Sequence, residues 1–251
     1  MKTLAIISHK GGAGKTSSAV MLAEDFARRG LRVVLVDADR HRGAGLLLGI
    51  EQASGQVQQT PDPKLRYFCS SGMPLREIPA KAEELAGLFD VAVVDTPSLD
   101  DPLAKAWIQL CSQALMVLPV EPISIRTLDG ADAALELIAR LNPKIEMLGI
   151  LPTIFDQSDA TQRTLMQELR ASRPDTLLNA TIPLDSGLVH RAEQKSERRT
   201  EPSEQTRAAY KLVGDLLLKA LRLSATATTD PGWQPTAKSE RAVPAAPQPV
   251  R

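Results

Sequence analysis

A glycine-rich segment lies between an apolar run and a helical pattern at the beginning of this sequence. The apolar run covers 4–7 (Leu-Ala-Ile-Ile), and 9–16 read His-Lys-Gly-Gly-Ala-Gly-Lys-Thr. Glycines allow the backbone to curl until successive N–H groups point at one anion, and the helix that follows adds the positive end of its dipole. A strand, this loop and a helix in that order predict a phosphate-binding loop, and with it a sheet covered by helices.

Two side chains of this loop, those of Lys15 and Thr16, have groups that can bind a nucleotide phosphate or its metal ion. The Lys15 ammonium can neutralise the β- and γ-phosphates of a nucleotide, and the Thr16 hydroxyl can ligate Mg²⁺. His9 stands where the usual G-x-x-x-x-G-K-S/T pattern has its first glycine, and a second lysine, Lys10, follows it. Lys10 is either a solvated loop lysine or a cation that reaches phosphates across a symmetric dimer interface, as an arginine finger does. The predicted nucleotide-binding residues of the loop are Gly11, Gly12, Ala13, Gly14, Lys15, Thr16 and Ser17.

Continuous apolar runs alternate with helical patterns along residues 2–222. Runs that are apolar throughout, such as 33–36 and 91–94, suit strands covered on both faces. Their alternation with helices predicts an α/β fold, a doubly wound, mostly parallel sheet flanked by helices, as in P-loop NTPases. Strands are predicted at 2–8, 31–37, 64–69, 91–95, 114–119, 147–153 and 177–182. Helices are predicted at 15–29, 75–88, 102–111, 124–141, 160–171 and 203–222.

Two stretches of the sequence lack these patterns. Residues 42–63 are rich in Gly and Gln and end in Pro-Asp-Pro, which favours a mobile loop with little regular structure. Residues 223–251 are rich in Pro, Ala, Ser and Thr and have almost no large apolar groups, so we expect a disordered tail. We therefore predict one domain over 1–222 and a tail over 223–251.

Two of the predicted strands end in acidic residues. Asp37 ends one strand and Asp39 follows it, and Asp95 ends another. Ligands of doubly wound sheets bind at the carboxyl ends of the strands, so these acids should project toward the same mouth as the loop. Asp95 would lie near Mg²⁺ through a metal-bound water, or would cap a turn. Asp39 would orient an attacking water, or would cap its own loop.

The net charge, the cysteines and the apolar stretches of the chain limit the classes of function to which it can belong. With 30 basic and 30 acidic residues the formal net charge is zero, so nucleic-acid binding would need a local basic patch. Cys69 and Cys111 have no metal-like spacing, and we expect buried, reduced thiols of a cytosolic protein. No signal peptide is evident, and no apolar stretch approaches the roughly 20 residues that a membrane span needs.

Five segments together point to one family. The segment 10–16, K-G-G-A-G-K-T, resembles the deviant Walker A motif of the ParA/MinD family of dimeric ATPases, here its ParA-like branch. V-D-A-D at 36–39 is similar to that family's second motif, and V-V-D-T-P at 93–97 resembles its Walker B segment. L-P-V-E-P at 118–122 and T-I-P at 181–183 resemble later landmarks, the second of them near the adenine. The resemblance covers roughly residues 2–222.

This resemblance implies a switch driven by ATP and Mg²⁺. Two subunits would sandwich two nucleotides, Lys10 would reach into the partner's site, and Asp39 would place the hydrolytic water. Thr16 and Asp95 would serve the Mg²⁺, and Pro183 would lie beside the adenine. ParA-type members bind nonspecific DNA as the ATP dimer, and a ParB-like partner stimulates a slow hydrolysis that releases them. The cycle positions plasmids, chromosome origins or assemblies such as carboxysomes, on the nucleoid in the bacterial cytoplasm.

Two departures from the family pattern bear on hydrolysis and on DNA. Arg40-His41 stand where the family has Pro-Gln. The arginines that often contact DNA in a D-x-R segment and after the later Ile-Pro are missing, since 156–158 read Asp-Gln-Ser and 183–187 read Pro-Leu-Asp-Ser-Gly. A basic cluster lies close by, and glutamates interspersed in it would equally fit a mixed solvated face. The candidate DNA contacts in this cluster are Arg191, Lys195, Arg198 and Arg199.

Three other functions stay open at this point. A MinD-like membrane switch usually ends in a short basic amphipathic helix, whereas here the last predicted helix precedes a Pro-rich tail, so we do not expect membrane binding. A metabolic P-loop enzyme, such as an amide-forming synthetase or a metal-insertion ATPase, finds no cysteine pair or additional substrate domain to support it. A nucleotide sensor without turnover would result if Arg40-His41 disturbed the water site.

Overall fold

The described part of the chain, in a computed structural model, comprises residues 1–50, 55–122, 128–188 and 201–224. Its strands are β1 Lys2–Ile7, β2 Val33–Asp37, β3 Val57–Gln59, β4 Leu65–Cys69, β5 Val91–Asp95, β6 Gln113–Pro119 and β7 Glu146–Thr153. Its α-helices are α1 Lys15–Arg28, α2 Gly43–Leu48, α3 Ile78–Ala86, α4 Pro102–Ile108, α5 Leu128–Leu141, α6 Ala160–Ser172 and α7 Glu204–Leu221. A short 3-10 turn, Leu75–Glu77, precedes α3.

The strands form one sheet in the order β3-β4-β2-β5-β1-β6-β7. Each pair is parallel except the edge pair of β3 and β4. Strands β2 to β5 lie on one side of β1, whereas β6 and β7 lie on the other, so the direction of winding reverses at β1. Such a reversal opens a crevice beyond the carboxyl ends of the strands. The predicted doubly wound, mostly parallel sheet is therefore confirmed.

Alternate residues of the strands face two separate layers of helices. Leu4 and Ile6 pack with α1, α2 and α7, whereas Ala5 and Ile7 pack with α3 to α6. Because both faces are covered, the central stretches of β1, β2, β5 and β6 are apolar at successive positions, and this explains the continuous runs in the sequence. In the described ranges, no helix combines the length and the apolar character that crossing a bilayer requires.

The prediction of a loop with little regular structure over 42–63 was wrong at 43–48 and 57–59, and residues 51–54 of this loop lie outside the described residues. Helix α2 forms within it, because Ala44, Leu47 and Leu48 are buried against the core next to α1. Strand β3 forms because its backbone pairs with β4, with Val57 opposite Phe68. Both elements depend on contacts far away in the sequence, which outweigh the weak local propensity of Gly and Gln.

The predicted strand at 177–182 was also wrong. The chain there runs along β7 and makes only two isolated bridges, Ile150 with Leu177 and Phe155 with Pro183. Proline lacks an N–H group, and Pro152 and Pro183 remove two of the donors that a continuous ladder would need. The first four residues of the helix predicted at 124–141 and most of the tail predicted at 223–251 lie outside the described residues.

Candidate nucleotide site

The glycine-rich loop joins β1 to α1 at the reversal point of the sheet. Gly12 and Gly14 have φ values of 72° and 82°, a left-handed conformation that residues with a side chain rarely adopt. Gly14 is the N-terminal capping residue of α1, and no side chain accepts a hydrogen bond from the N–H groups of this helix end in the described structure. These groups are therefore free to bind an anion.

Hydroxyl groups hold the loop in place from two strand ends. The Ser8 hydroxyl donates to the Lys10 carbonyl at 2.5 Å and accepts from the Lys10 N–H at 3.0 Å. The Thr153 hydroxyl, at the end of β7, donates to the Ala13 carbonyl at 2.9 Å. The loop is therefore organised by the fold before any ligand binds, which lowers the entropic cost of binding.

Lys15 begins α1 and is half-buried in the cleft that the loop borders. Burial lowers the pKa of the Lys15 ammonium, whereas the negative charges of Asp95 and Asp39 act in the opposite direction. A desolvated ammonium gains more from a phosphate than an exposed one does, because water screens it less. Lys15 is thus well placed to bind a nucleotide phosphate.

Asp95 ends β5 and is completely buried. Neither of its carboxylate oxygens has a hydrogen-bond partner within the described ranges. Burial raises the pKa of Asp95 to about 8, and the charge of Asp37 adds to this rise. The Thr16 hydroxyl and the Lys15 ammonium act in the opposite direction. The ionised form of this buried carboxyl group, next to the Thr16 hydroxyl, would be stabilised by a cation or a polarised water.

This donor set fits Mg²⁺ in particular. Magnesium prefers oxygen ligands and is usually held by one or two protein groups together with substrate phosphates and waters. The described residues contain no group of three or more His, Cys, Asp or Glu side chains that would hold a metal by themselves. The Thr16 hydroxyl, with Asp95 behind it, therefore suits a Mg²⁺ that arrives with a nucleotide.

Asp37 and Asp39 have different roles although they are neighbours in the sequence. Asp37 is buried, and its carboxylate accepts from the Tyr67 hydroxyl at 3.0 Å and from the Gly45 N–H at 3.2 Å. It also accepts from the Asp39 N–H at 3.1 Å. Asp37 therefore ties the end of β2 to α2 and β4, whereas Asp39 extends into the cleft. Tyr67, which this arrangement requires, reads in the sequence only as a core aromatic.

The cleft has a volume of about 430 Å³ and brings most of the predicted residues together. Its walls are the loop over 8–17, the segment 39–41 after β2, and Pro97, Ser98 and Asp101 after β5. Lys10, Lys15, Thr16 and Asp39 thus share one space, with Asp95 buried next to it. This is the arrangement that phosphoryl transfer requires: backbone donors, cations and one carboxylate near the site of the nucleophile.

Lys10 lies next to an acidic side chain in the single chain. Its ammonium pairs with the Glu121 carboxylate, which follows the end of β6. Both side chains remain partly exposed, at 33% and 41%, so the pair is open to exchange with another anion. Glu121 was not predicted as a site residue, and 111 residues separate it from Lys10.

His9, in the place of the usual glycine, packs against α5. If Gly130 carried a Cβ atom, that atom would lie only 3.2 Å from Cδ2 of the His9 ring. The absence of a side chain at Gly130 therefore leaves room for the ring. Both ring nitrogens are buried and lack a hydrogen-bond partner among the described residues. Burial lowers the pKa of His9, and the charges of Lys10 and Lys15 lower it further. His9 therefore favours the neutral form and adds no positive charge to the loop.

Pro183 lies on the other side of the loop, in a second cavity of about 400 Å³. Gly12, Gly14 and Ser17 of the loop form one wall, and Ile154, Ile182, Leu184 and Leu188 contribute apolar surface. An apolar cavity next to a phosphate-binding loop suits the planar base of a nucleotide. The structure thus brings Pro183 next to the loop, as an adenine contact would require.

The candidate DNA residues cannot be located in this way. Arg191, Lys195, Arg198 and Arg199 all lie within 189–200, outside the described residues. Their assignment stays a prediction from the sequence.

Comparison with known proteins shows to which family the chain belongs. The family model for the CobQ/CobB/MinD/ParA nucleotide binding domain matches residues 4–197. The chromosome-partitioning ATPase Soj of Thermus thermophilus is 27% identical over 202 residues, which are 73% of this chain and 81% of Soj. Protein IncC of Escherichia coli is 30% identical over 221 residues, which are 75% of this chain and 60% of IncC.

A solved structure shares the fold at lower identity. The septum site-determining protein MinD of Pyrococcus horikoshii, complexed with Mg-ADP, superposes with a TM-score of 0.68 at 17% identity, over 87% of this chain and 96% of MinD. The fold agrees with the family model, which matches more than half of the chain. The chain belongs to the ParA/MinD family of P-loop nucleotide-binding domains.

Proposed function

We propose that this protein is a ParA-type ATPase that dimerises on ATP, binds nonspecific DNA in that state, and positions a cargo. The cargo would be a plasmid, a chromosome origin or a large protein assembly, and a ParB-like partner would stimulate a slow hydrolysis. The observation that carries the proposal is the single cleft that contains two loop lysines, Lys10 and Lys15, together with Thr16 and Asp39. The similarity to Soj, which is named as a chromosome-partitioning ATPase, supports the same function.

ATP binding is assigned to the loop and the two cavities that flank it. The N–H groups of 11–16 and the Lys15 ammonium would bind the phosphates, and Pro183 would border the base. Thr16 and Asp95 would hold Mg²⁺, which supplies positive charge to the phosphate oxygens when bound. The Mg-ADP in the related MinD structure supports this choice of ligands.

Hydrolysis is assigned to positioning and electrostatics, because phosphoryl transfer requires little covalent chemistry from the protein. The Asp39 carboxylate would accept a hydrogen bond from the attacking water and orient its lone pair toward the γ-phosphate. Lys15 would stabilise the charge that develops on the phosphate oxygens. Closure of a second subunit over the cleft would exclude bulk water and strengthen both interactions.

Lys10 is proposed to change partners in this cycle. In the single chain its ammonium pairs with Glu121. In the ATP dimer it would instead contact the phosphates of the nucleotide bound by the other subunit, which supplies charge in trans. Each subunit would then need its partner for turnover, and this requirement would couple hydrolysis to dimerisation.

We expect Lys10→Ala to bind ATP with nearly the affinity of the wild type but to remain monomeric and inactive. The substitution removes only the charge supplied in trans, so turnover should fall by at least about 1,000-fold, as for the loss of an arginine finger. Calorimetry with ATP and Mg²⁺, light scattering and phosphate release measure the three quantities. Lys144→Ala, at an exposed lysine outside the cleft, is the control. An ATP-dependent dimer of Lys10→Ala with full turnover would remove the trans role.

DNA binding and location complete the proposal. Arg191, Lys195, Arg198 and Arg199 are assigned to contact phosphates of nonspecific DNA, since a chain of zero net charge needs such a local cluster. In this scheme ATP hydrolysis separates the subunits and releases them from the nucleoid of a bacterial cell. DNA retention measured with ATP and with ADP tests this step directly.

A further inference from the structure

We infer that His41 is a positioning residue for the Asp39 carboxylate, an inference that rests on the proposed ATPase function. Two groups of His41 bind the same oxygen of Asp39. The His41 backbone N–H donates to Asp39 Oδ1 at 2.9 Å, and the imidazole Nδ1 lies 2.8 Å from that oxygen. A carboxylate only accepts hydrogen bonds, so Nδ1 carries the proton of this contact.

The two oxygens of the Asp39 carboxylate have different contacts. With both contacts from His41 on Oδ1, no other hydrogen bond reaches the Asp39 side chain within the part of the chain that the structure describes. Oδ2 is therefore free to accept from a water in the cleft that Asp39 lines. A donor at Oδ1 also fixes the rotation of the carboxylate, and this rotation decides where Oδ2 points.

The hydrogen bond from the His41 imidazole is not needed to form the turn that contains it. The chain turns over 39–42, with the Arg42 N–H donating to the Asp39 carbonyl at 3.0 Å. A backbone N–H donating to the aspartate side chain two residues earlier is sufficient for such a turn. The second donor, from a ring that is 86% exposed, adds nothing to core packing. The hydrogen bond from the imidazole therefore acts on the orientation of the Asp39 carboxylate.

The segment that carries His41 is held from both sides. Asp37 accepts from the Asp39 N–H, and Arg40 Nη2 lies 3.2 Å from Asp101 Oδ2. Asp101 is itself fixed, because its Oδ1 accepts from the Leu103 N–H at 2.8 Å at the start of α4. The backbone of His41 thus lies between contacts to the end of β2 and to the start of α4. Arg40-His41, in the place of Pro-Gln, therefore support the water site instead of disturbing it.

Two substitutions separate positioning from a general effect on folding. His41→Ala removes the imidazole donor and keeps the backbone donor, so we expect kcat for ATP hydrolysis to fall about 10- to 100-fold. The affinity for ATP and KM should stay within about twofold, because His41 is not assigned to hold phosphate. His41→Asn presents an amide N–H near the position of Nδ1 and should restore kcat to within about threefold of the wild type.

The experiment measures steady-state hydrolysis and ATP affinity for the full chain, for both His41 variants and for Asp39→Ala, with thermal unfolding as the check on folding. Wild-type kcat in His41→Ala while Asp39→Ala is inactive would overturn the inference alone. An equal loss in His41→Ala and His41→Asn would also overturn it, because rescue by the amide is its specific consequence. Normal turnover of Asp39→Ala would overturn the proposed function and the inference together.

Discussion

Lys15→Ala should lower the affinity for ATP in the presence of Mg²⁺ by at least about 100-fold. The Lys15 ammonium is half-buried and is the cation that faces both Asp95 and Asp39. Its removal deletes a charge-assisted bond to phosphate and leaves the negative charge of Asp39 without this cation beside the incoming nucleotide. A loss of about 3 kcal/mol corresponds to roughly two powers of ten in the dissociation constant. Dimerisation and turnover should disappear with binding, because both would depend on bound ATP.

Calorimetric titration with ATP and Mg²⁺ measures this effect, and thermal unfolding checks that the variant is folded. Lys144→Ala removes an equal charge outside the cleft and should bind like the wild type. The same titration with ADP isolates the contribution of the γ-phosphate. A folded Lys15→Ala protein with unchanged affinity for ATP would contradict the assignment of the loop.

Asp39→Ala should bind ATP at least as tightly as the wild type and hydrolyse it about 100- to 10,000-fold more slowly. The substitution removes a negative charge from the cleft, so it does not oppose the binding of phosphates. It also removes the carboxylate that we assign to the attacking water. The ATP-bound dimer would therefore persist, and a state that is transient in the wild type would accumulate.

Single-turnover phosphate release gives the rate, and light scattering after removal of free nucleotide gives the lifetime of the dimer. Asp175→Ala, at an exposed aspartate outside the cleft, is the matched control. A variant that releases phosphate at the rate of the wild type would remove the proposed role of Asp39. A variant that no longer binds ATP would instead assign Asp39 to the structure of the loop.

Much of the fold is predictable because its determinants are local. Strands covered on both faces leave continuous apolar runs, and the loop between β1 and α1 leaves its glycines, Lys15 and Thr16 in one short segment. Asp39 and Asp95 are predictable as well, because the topology of a doubly wound sheet brings the ends of β2 and β5 to the loop. Asp37 and Asp95 are indeed register partners in the sheet.

The remaining features depend on contacts between distant parts of the chain. Lys10 and Glu121 are 111 residues apart, and Ala13 and Thr153 are 140 apart, so no local pattern announces either pair. Helix α2 forms because its apolar side chains are buried in the core, and strand β3 forms because its backbone pairs with β4. The contact of His41 with Asp39 is local, yet the residue types alone do not reveal that both donors bind one oxygen.

The most direct test of the central claim is retention of DNA by the purified protein with ATP, with ADP and without nucleotide, at about 50 and about 200 mM salt. We predict retention with ATP alone, a loss of at least about 100-fold between the two salt concentrations, and no retention of Lys15→Ala. Anionic liposomes measured in parallel should not bind. ATP-loaded protein that ignores DNA at the lower salt concentration, with or without binding to liposomes, would contradict the account.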